Sequence, residues 1–222
     1  MGSAVCHQMA ERSLLFEGMQ MPLCARCTGI YTGVFFAFCF FFLKKRITEG
    51  NSFSLVQAIL TGLAILPVGI DGVGSYLGFW ESSQLMRIFS EAKIAANSYL
   101  GFWESSQLMR IFSGSLVGAV VPGFLLLAGN FDPKKGKEQP IYNKTAELLL
   151  LMLVSVGSGL CLWAGFPLGG IGASVSVAGE VLLWGGLVWL ILKNLLKDKE
   201  ILCWKISIVI SFVGLFVIGG LV

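Results

Sequence analysis

Six stretches of the chain are almost purely apolar, and short polar segments separate them. They run approximately over residues 23–43, 53–74, 111–129, 145–165, 172–192 and 201–222. Each is close to the roughly 17–25 residues a helix needs to cross the hydrocarbon core of a bilayer. Phe35-Phe36-Ala37-Phe38-Cys39-Phe40-Phe41-Phe42 is typical of their content. None has a polar face at a 3.6-residue period, which a helix on a soluble domain would carry. A chain in lipid must satisfy its backbone hydrogen bonds internally, so the stretches are expected to be helices. The expected fold class is therefore all-α. It is a polytopic integral membrane helical bundle of about six transmembrane helices, forming one membrane domain over residues 1–222.

The polar positions between the stretches predict an orientation. Lys44-Lys45-Arg46 follows the first, Lys134, Lys135 and Lys137 follow the third, and Lys193, Lys197 and Lys199 follow the fifth. Six crossings put all three clusters on one side, and the positive-inside bias makes that side the cytoplasm of a multi-pass cell-membrane protein. The opposite, extracytoplasmic face receives the N-terminal segment 1–22, the region around 75–110, the turn Phe166–Gly170 and the C-terminus. No cleavable signal peptide is expected, because a polar segment with Glu11, Arg12 and Glu17 precedes the first apolar stretch.

Composition agrees. Apolar residues make up 55% of the chain and charged residues 13%, about half the charge of a soluble domain. This excludes a disordered chain and disfavours a soluble enzyme. The net charge of +3 is explained by the basic loops, so the expected partner is the lipid bilayer and not nucleic acid. Of 28 glycines, Gly29/Gly33 and Gly114/Gly118 are spaced as Gly-x-x-x-Gly, a pattern that lets membrane helices approach closely. Pro67 and Pro122 fall inside spans, where proline is tolerated.

Residues 75–90 read SYLGFWESSQLMRIFS, and residues 98–113 repeat the same letters. Strict identity in only two copies is not a solenoid signature; it points to a recent in-frame duplication or an assembly artefact. The segment 75–113 carries Glu81, Arg87, Glu91 and Lys93. A charge at mid-bilayer costs roughly 2.5–3.5 kcal/mol, and one more crossing would move the Lys134 cluster to the wrong face. The segment is therefore expected to lie along the outer interface between helices two and three, with Trp80 and Trp103 at headgroup depth.

Candidate chemistry gathers near the N-terminus. Cys39, Cys161 and Cys203 fall in apolar stretches and read as small hydrophobes. Cys6 is followed by His7, the only histidine, while Cys24 and Cys27 form Pro22-Leu23-Cys24-Ala25-Arg26-Cys27. Cys-x-x-Cys lets one tetrahedral ion take two sulfurs, and Cys6 and His7 complete a set of four metal ligands. Three readings stand: a structural Zn2+-type site, a disulfide or redox-active Cys24/Cys27 pair, or ordinary thiols. The first is preferred. Arg26 between the cysteines would favour thiolates.

Cys6-His7-Gln8, Glu11-Arg12-Ser13 and Pro22-Leu23-Cys24-Ala25-Arg26-Cys27-Thr28-Gly29-Ile30-Tyr31-Thr32-Gly33 resemble a prokaryotic family of multi-pass membrane proteins, domain of unknown function 2085. Asp71-Gly72 and Arg110-Ile111-Phe112-Ser113-Gly114 extend the resemblance over roughly the first 120 residues. It implies that the Cys, His, Arg and Asp positions form one functional region. The duplication leaves Arg87 and Arg110 both eligible for the family arginine.

Ionisable residues in a bilayer are expensive and mark function by default. Glu180 sits within the fifth stretch, as either a bonded structural carboxylate or a proton or ion site. Glu147 and Lys205, near inner helix ends, are expected to reach lipid headgroups. No P-loop, dinucleotide fingerprint, His-Glu-x-x-His or Gly-x-Ser-x-Gly occurs. Three functions compete: a membrane protein with a structural metal site, a membrane-embedded enzyme or thiol–disulfide protein using Cys24 and Cys27, and a small-solute or ion transporter using Glu180.

Overall fold

Each apolar stretch forms one helix. A computed structural model describes residues 6, 13–16, 19–47, 50, 52–76, 107–130, 140–164, 169–195 and 200–221. The helices are α1 (Ala25–Leu43), α2 (Leu55–Tyr76), α3 (Gln107–Asn130), α4 (Thr145–Trp163), α5 (Gly169–Leu195) and α6 (Glu200–Leu221). Two short strands, β1 (Ser13–Phe16) and β2 (Met19–Cys24), precede them as an antiparallel pair. Pro67 and Pro122 lie inside α2 and α3 without ending either helix.

The polarity of the bundle is inverted relative to a soluble protein. Leu43 is 83% exposed, Leu153 71% and Phe216 67%, while Gln57, Thr28, Thr32, Ser115, Ser155, Ser176 and Glu180 are buried. An apolar shell around a core that holds polar groups suits lipid as solvent. Among the described residues, four helices are long and apolar enough to cross a membrane: Ala25–Leu43, Leu108–Asn130, Thr145–Trp163 and Gly170–Lys193. Leu55–Ile70 and Cys203–Ile218 are shorter apolar stretches of α2 and α6. The protein is an all-α membrane bundle, to which β1 and β2 add a small hairpin.

Helix α1 is the hub, packed against α3, α4 and α5. Its closest contact is with α3, where the two Gly-x-x-x-Gly pairs face each other. A Cβ on Gly33 would lie 2.7 Å from the Ser115 carbonyl oxygen, and one on Gly29 would lie 2.5 Å from that of Ile111. Reciprocally, Gly114 and Gly118 abut the Arg26 and Ile30 carbonyls. On the other side of α1, Gly179 of α5 abuts the Tyr31 carbonyl.

Contacts at one end of the bundle show that the helices alternate in direction. At the C-terminus of α1, Lys45 takes φ 54°. The Arg46 N–H donates to the Phe41 carbonyl at 3.0 Å and the Lys45 N–H to that of Phe42 at 3.1 Å, closing a Schellman-type cap. The cap aims Arg46 across the bundle, where its guanidinium donates to the Ile141 carbonyl and to Glu147, both at 3.0 Å. At the start of α2, the Ser54 N–H donates to the Gln57 side chain at 3.1 Å and the Gln57 N–H to the Ser54 hydroxyl at 3.4 Å, a capping box. The Gln57 amide also donates to the Tyr142 carbonyl at 3.0 Å, just ahead of α4. Asn130, closing α3, donates to the Ile47 carbonyl at 2.8 Å and accepts from Lys193, near the end of α5, at 2.8 Å. Phe38 of α1 meets Trp204 of α6 at 5.6 Å between ring centroids.

One end therefore holds the C-termini of α1, α3 and α5 and the N-termini of α2, α4 and α6. Lys44, Lys45, Arg46 and Lys193 share it, as the loop charges require. Lys134, Lys135, Lys137, Lys197 and Lys199 lie outside the described residues. Glu147 also has partners within the protein: it meets Arg46, with Lys44 at 3.8 Å. Most of the expected interfacial segment, with Arg87, Trp80 and Trp103, also lies outside the described residues. At its C-terminal end, Gln107–Ser113 of the second copy forms the first two turns of α3. Polar as they are, these residues continue the helix because Ile111 and Gly114 pack against the start of α1.

Candidate metal centre

The hairpin and α1 meet at Cys24. Register pairs Ser13 with Cys24, Leu15 with Gln20 and Phe16 with Met19, with an irregularity between Ser13 and Leu15. Cys24 ends β2 and serves as N-cap of α1 in an extended conformation, φ −67° and ψ 159°, with no capping bond from its side chain. Its thiol is thus left to other partners. Cys27 follows one turn later in α1. The hairpin is seated by Leu14 and Met21, which bury against Ala25, Ile111 and Leu162.

Cys6 arrives from a separate segment and packs with Leu23 and Tyr31, while Cys24, Cys27 and Leu183 of α5 close around them. Its sulfur accepts the Cys24 backbone N–H at 3.3 Å. The sulfurs of Cys6, Cys24 and Cys27 all lie within 4.8 Å of one another. Two thiolates on a tetrahedral zinc sit about 2.3 Å from the ion, hence about 3.8 Å apart. The three sulfurs therefore converge closely enough to hold one metal ion. Cys6 is buried, and Cys24 and Cys27 are half-buried.

The electrostatics favour a thiolate. The Cys27 thiol, hydrogen-bonded to the Cys24 sulfur, lowers Cys24 from the ordinary 9.0 to about 5. Burial opposes this, and the Cys27 backbone, the Cys6 thiol and the Arg26 backbone assist. The start of a helix is also the positive end of its dipole, which steadies a thiolate. All six cysteines are free thiols.

The family model described as "Predicted membrane protein (DUF2085)" matches residues 6–94. An uncharacterized protein of Methanothermobacter thermautotrophicus is 35% identical over 83 residues, covering 37% of this chain and 70% of that protein. The chain belongs to the DUF2085 family. An uncharacterized protein of Methanocaldococcus jannaschii is 35% identical over 89 residues, or 40% of this chain and 54% of that protein. No solved structure matches. The DUF2085 region begins at Cys6 and includes Cys24, Cys27, α1 and α2.

Of the other residues singled out from sequence, His7 and the side chain of Asp71 lie outside the described residues. The backbone of Asp71 belongs to α2, which packs on α3 and α4. Arg110 is half-buried in α3, one turn before the Gly114 that abuts Arg26. Cys203 is buried, Cys39 half-buried and Cys161 exposed on the apolar shell, so only Cys203 matches the fully buried role. Glu180 is fully buried in α5. Sequence reasoning missed two features. One is Tyr31, which packs on Cys6 one turn beyond Cys27. The other is the hairpin, although Glu17-Gly18 between two short apolar runs is a turn signal.

Proposed function

We propose that this protein is a multi-pass cell-membrane protein built around a structural zinc-type site at the N-terminal mouth of its bundle. Cys6, Cys24 and Cys27 supply three thiolates, and His7, next to Cys6 in sequence, supplies the fourth ligand. The observation that carries this reading is the convergence of three sulfurs within 4.8 Å from a segment, a strand end and a helix start. A four-residue strand paired with a six-residue one is too small to hold itself. A bound ion would cross-link it to α1, with its binding energy counted as folding energy. The basic end of the bundle faces the cytoplasm and the hairpin end faces outward.

A second reading follows from Cys24 near 5. A thiolate at a helix start with a thiol partner three residues on is also the arrangement of a redox pair. One experiment separates the two: zinc and iron are measured per chain in purified wild type and Cys24→Ser. The metal reading expects about one zinc per chain, lost on substitution. Metal-free protein with Cys24 and Cys27 joined as a disulfide would refute it and establish the redox pair. Cysteine labelling at residue 27 with impermeant reagents in intact cells tests orientation; protection until lysis would reverse it.

A further inference from the structure

Glu180 is the fully buried acid among the described residues, 0% exposed, and neither carboxyl oxygen has a hydrogen-bond partner there. Its place follows from packing. Gly179 lets α5 come against the Tyr31 carbonyl with no room for a Cβ, which sets Glu180 into the α1/α5 interface. The Tyr31 backbone lies against Gly179, the neighbour of Glu180, and Tyr31 packs in one cluster with Leu183 of α5 and with Cys6, Cys24 and Cys27. Cys27 and Tyr31 are four residues apart, on one face of α1. A buried acid and the sulfur-lined mouth therefore adjoin the same tyrosine.

The chemistry of the surroundings selects the occupant. A charged, unpaired carboxylate inside an apolar bundle is strongly unfavourable, so it must hold a cation or a proton. A hard metal cation needs about six oxygen ligands. The hydroxyl one turn before Glu180 in α5 is already engaged: Ser176 donates to the Gly172 carbonyl at 2.8 Å and pairs with Thr32 of α1 at 3.1 Å. Among the described residues, the metal-type cluster of side chains is the cysteine one, and Glu180 is not in it. One carboxyl without an oxygen cage suits a proton.

We propose that Glu180 is a proton-binding site in the α1/α5 interface that exchanges with the cysteine end of the bundle by way of Tyr31. Release leaves the carboxylate and passes one proton toward the mouth; uptake reverses this, with no electron transfer. The site does not depend on an ion at the thiols.

The test uses full-length, metal-stripped protein in lipid, followed by infrared difference spectroscopy at neutral pH. A protonated-carboxyl stretch is expected in wild type and absent in Glu180→Gln. It should shift when the protein is moved into D2O, and in Tyr31→Phe that shift should slow several-fold. Glu180→Asp, which keeps the acid, should move the band without abolishing it, so a misfolded Gln variant cannot mimic the result. A spectrum unchanged in both variants would overturn the site. A band that never shifts in D2O would show a sealed structural acid, and a shift as fast in Tyr31→Phe would refute the route.

Discussion

Replacing Gly118 by alanine tests whether backbone contact between α1 and α3 holds the bundle together. A Cβ at Gly118 would lie 2.8 Å from the Ile30 carbonyl carbon and 3.0 Å from the Gly33 Cα, with the Ile30 oxygen closer still. Carbon atoms prefer separations of about 3.5–4.0 Å, and a gap of about 0.5–1 Å forfeits a quarter to a half of each contact's attraction. The obstructing atoms are all backbone, so no side chain can swing aside and the helices must separate. Overpacking of this kind costs about 1–3 kcal/mol. Gly157 in α4 is the control, since no atom lies within 4 Å of a Cβ placed there. Alanine at 157 should gain about 0.5–1 kcal/mol from the lower conformational freedom of the unfolded chain. Alanine at 118 has the same gain, so the two variants should differ by roughly the overpacking cost, 1–3 kcal/mol. Reversible unfolding in mixed micelles, followed by circular dichroism, measures the difference. Equal stability of Gly118→Ala and Gly157→Ala would refute the close-contact account of α1 and α3.

Further outcomes follow from other parts of the structure. Gly114→Ala, which collides with the carbonyl of Arg26 between the two cysteines, should weaken zinc affinity in a competition titration, whereas Gly157→Ala should leave it unchanged. Arg46→Met removes the partner of Glu147 at 3.0 Å and should destabilise by about 1–3 kcal/mol, since the acid is left half-buried. Lys44→Met, whose ammonium is half-exposed and 3.8 Å from the same acid, should change stability by less than about 0.5 kcal/mol in the same unfolding assay. In metal-stripped protein, Cys24 should remain alkylated by iodoacetamide as pH falls toward about 5, a reactivity that Cys24→Ser lacks. Its folded-state pKa lies below the unfolded one. The stability it contributes is therefore complete above about 9 and is lost as pH falls toward about 5.

The helices were legible because lipid imposes a local rule: an apolar run of sufficient length is a helix whatever its neighbours. The largest shift of a boundary is at Gln107–Arg110, where packing overrode polarity and α3 begins four residues early. The loop charges also carried the topology, since Lys44–Arg46 and Lys193 do share an end. The three sulfurs were legible because Cys-x-x-Cys and Cys-His are short motifs. Partners distant in the chain were not. Arg46 and Glu147 are 101 residues apart, and each alone resembles an interfacial charge. The approach of Tyr31 to α5 depends on Gly179, one glycine among 28, and no local pattern distinguishes it. The hairpin was hidden because β1 is four residues long, too short for alternation to stand out.

The same helix that organises the bundle also presents the site. On α1, positions 29 and 33 face α3, while positions 27 and 31 lie about 200° around the helix, toward α5, at about 100° per residue. α1 is thus gripped on nearly opposite faces, by Gly114 and Gly118 on one side and by Gly179 on the other. A helix held so closely cannot rotate without breaking backbone contact on both sides, so Cys27 and Tyr31 are fixed in azimuth. The hairpin that ends at Cys24 has only two short strands, a pair that is marginal by itself. An ion shared among Cys6, Cys24 and Cys27 would thus tie a weakly held segment to a rigid one. This predicts an asymmetric response to chelation: slow hydrogen exchange across Ile30–Phe41 should persist, while the amides of Leu14–Leu23 should exchange faster. Equal loosening of both regions would mean that the ion, and not the glycine contacts, sets the position of α1.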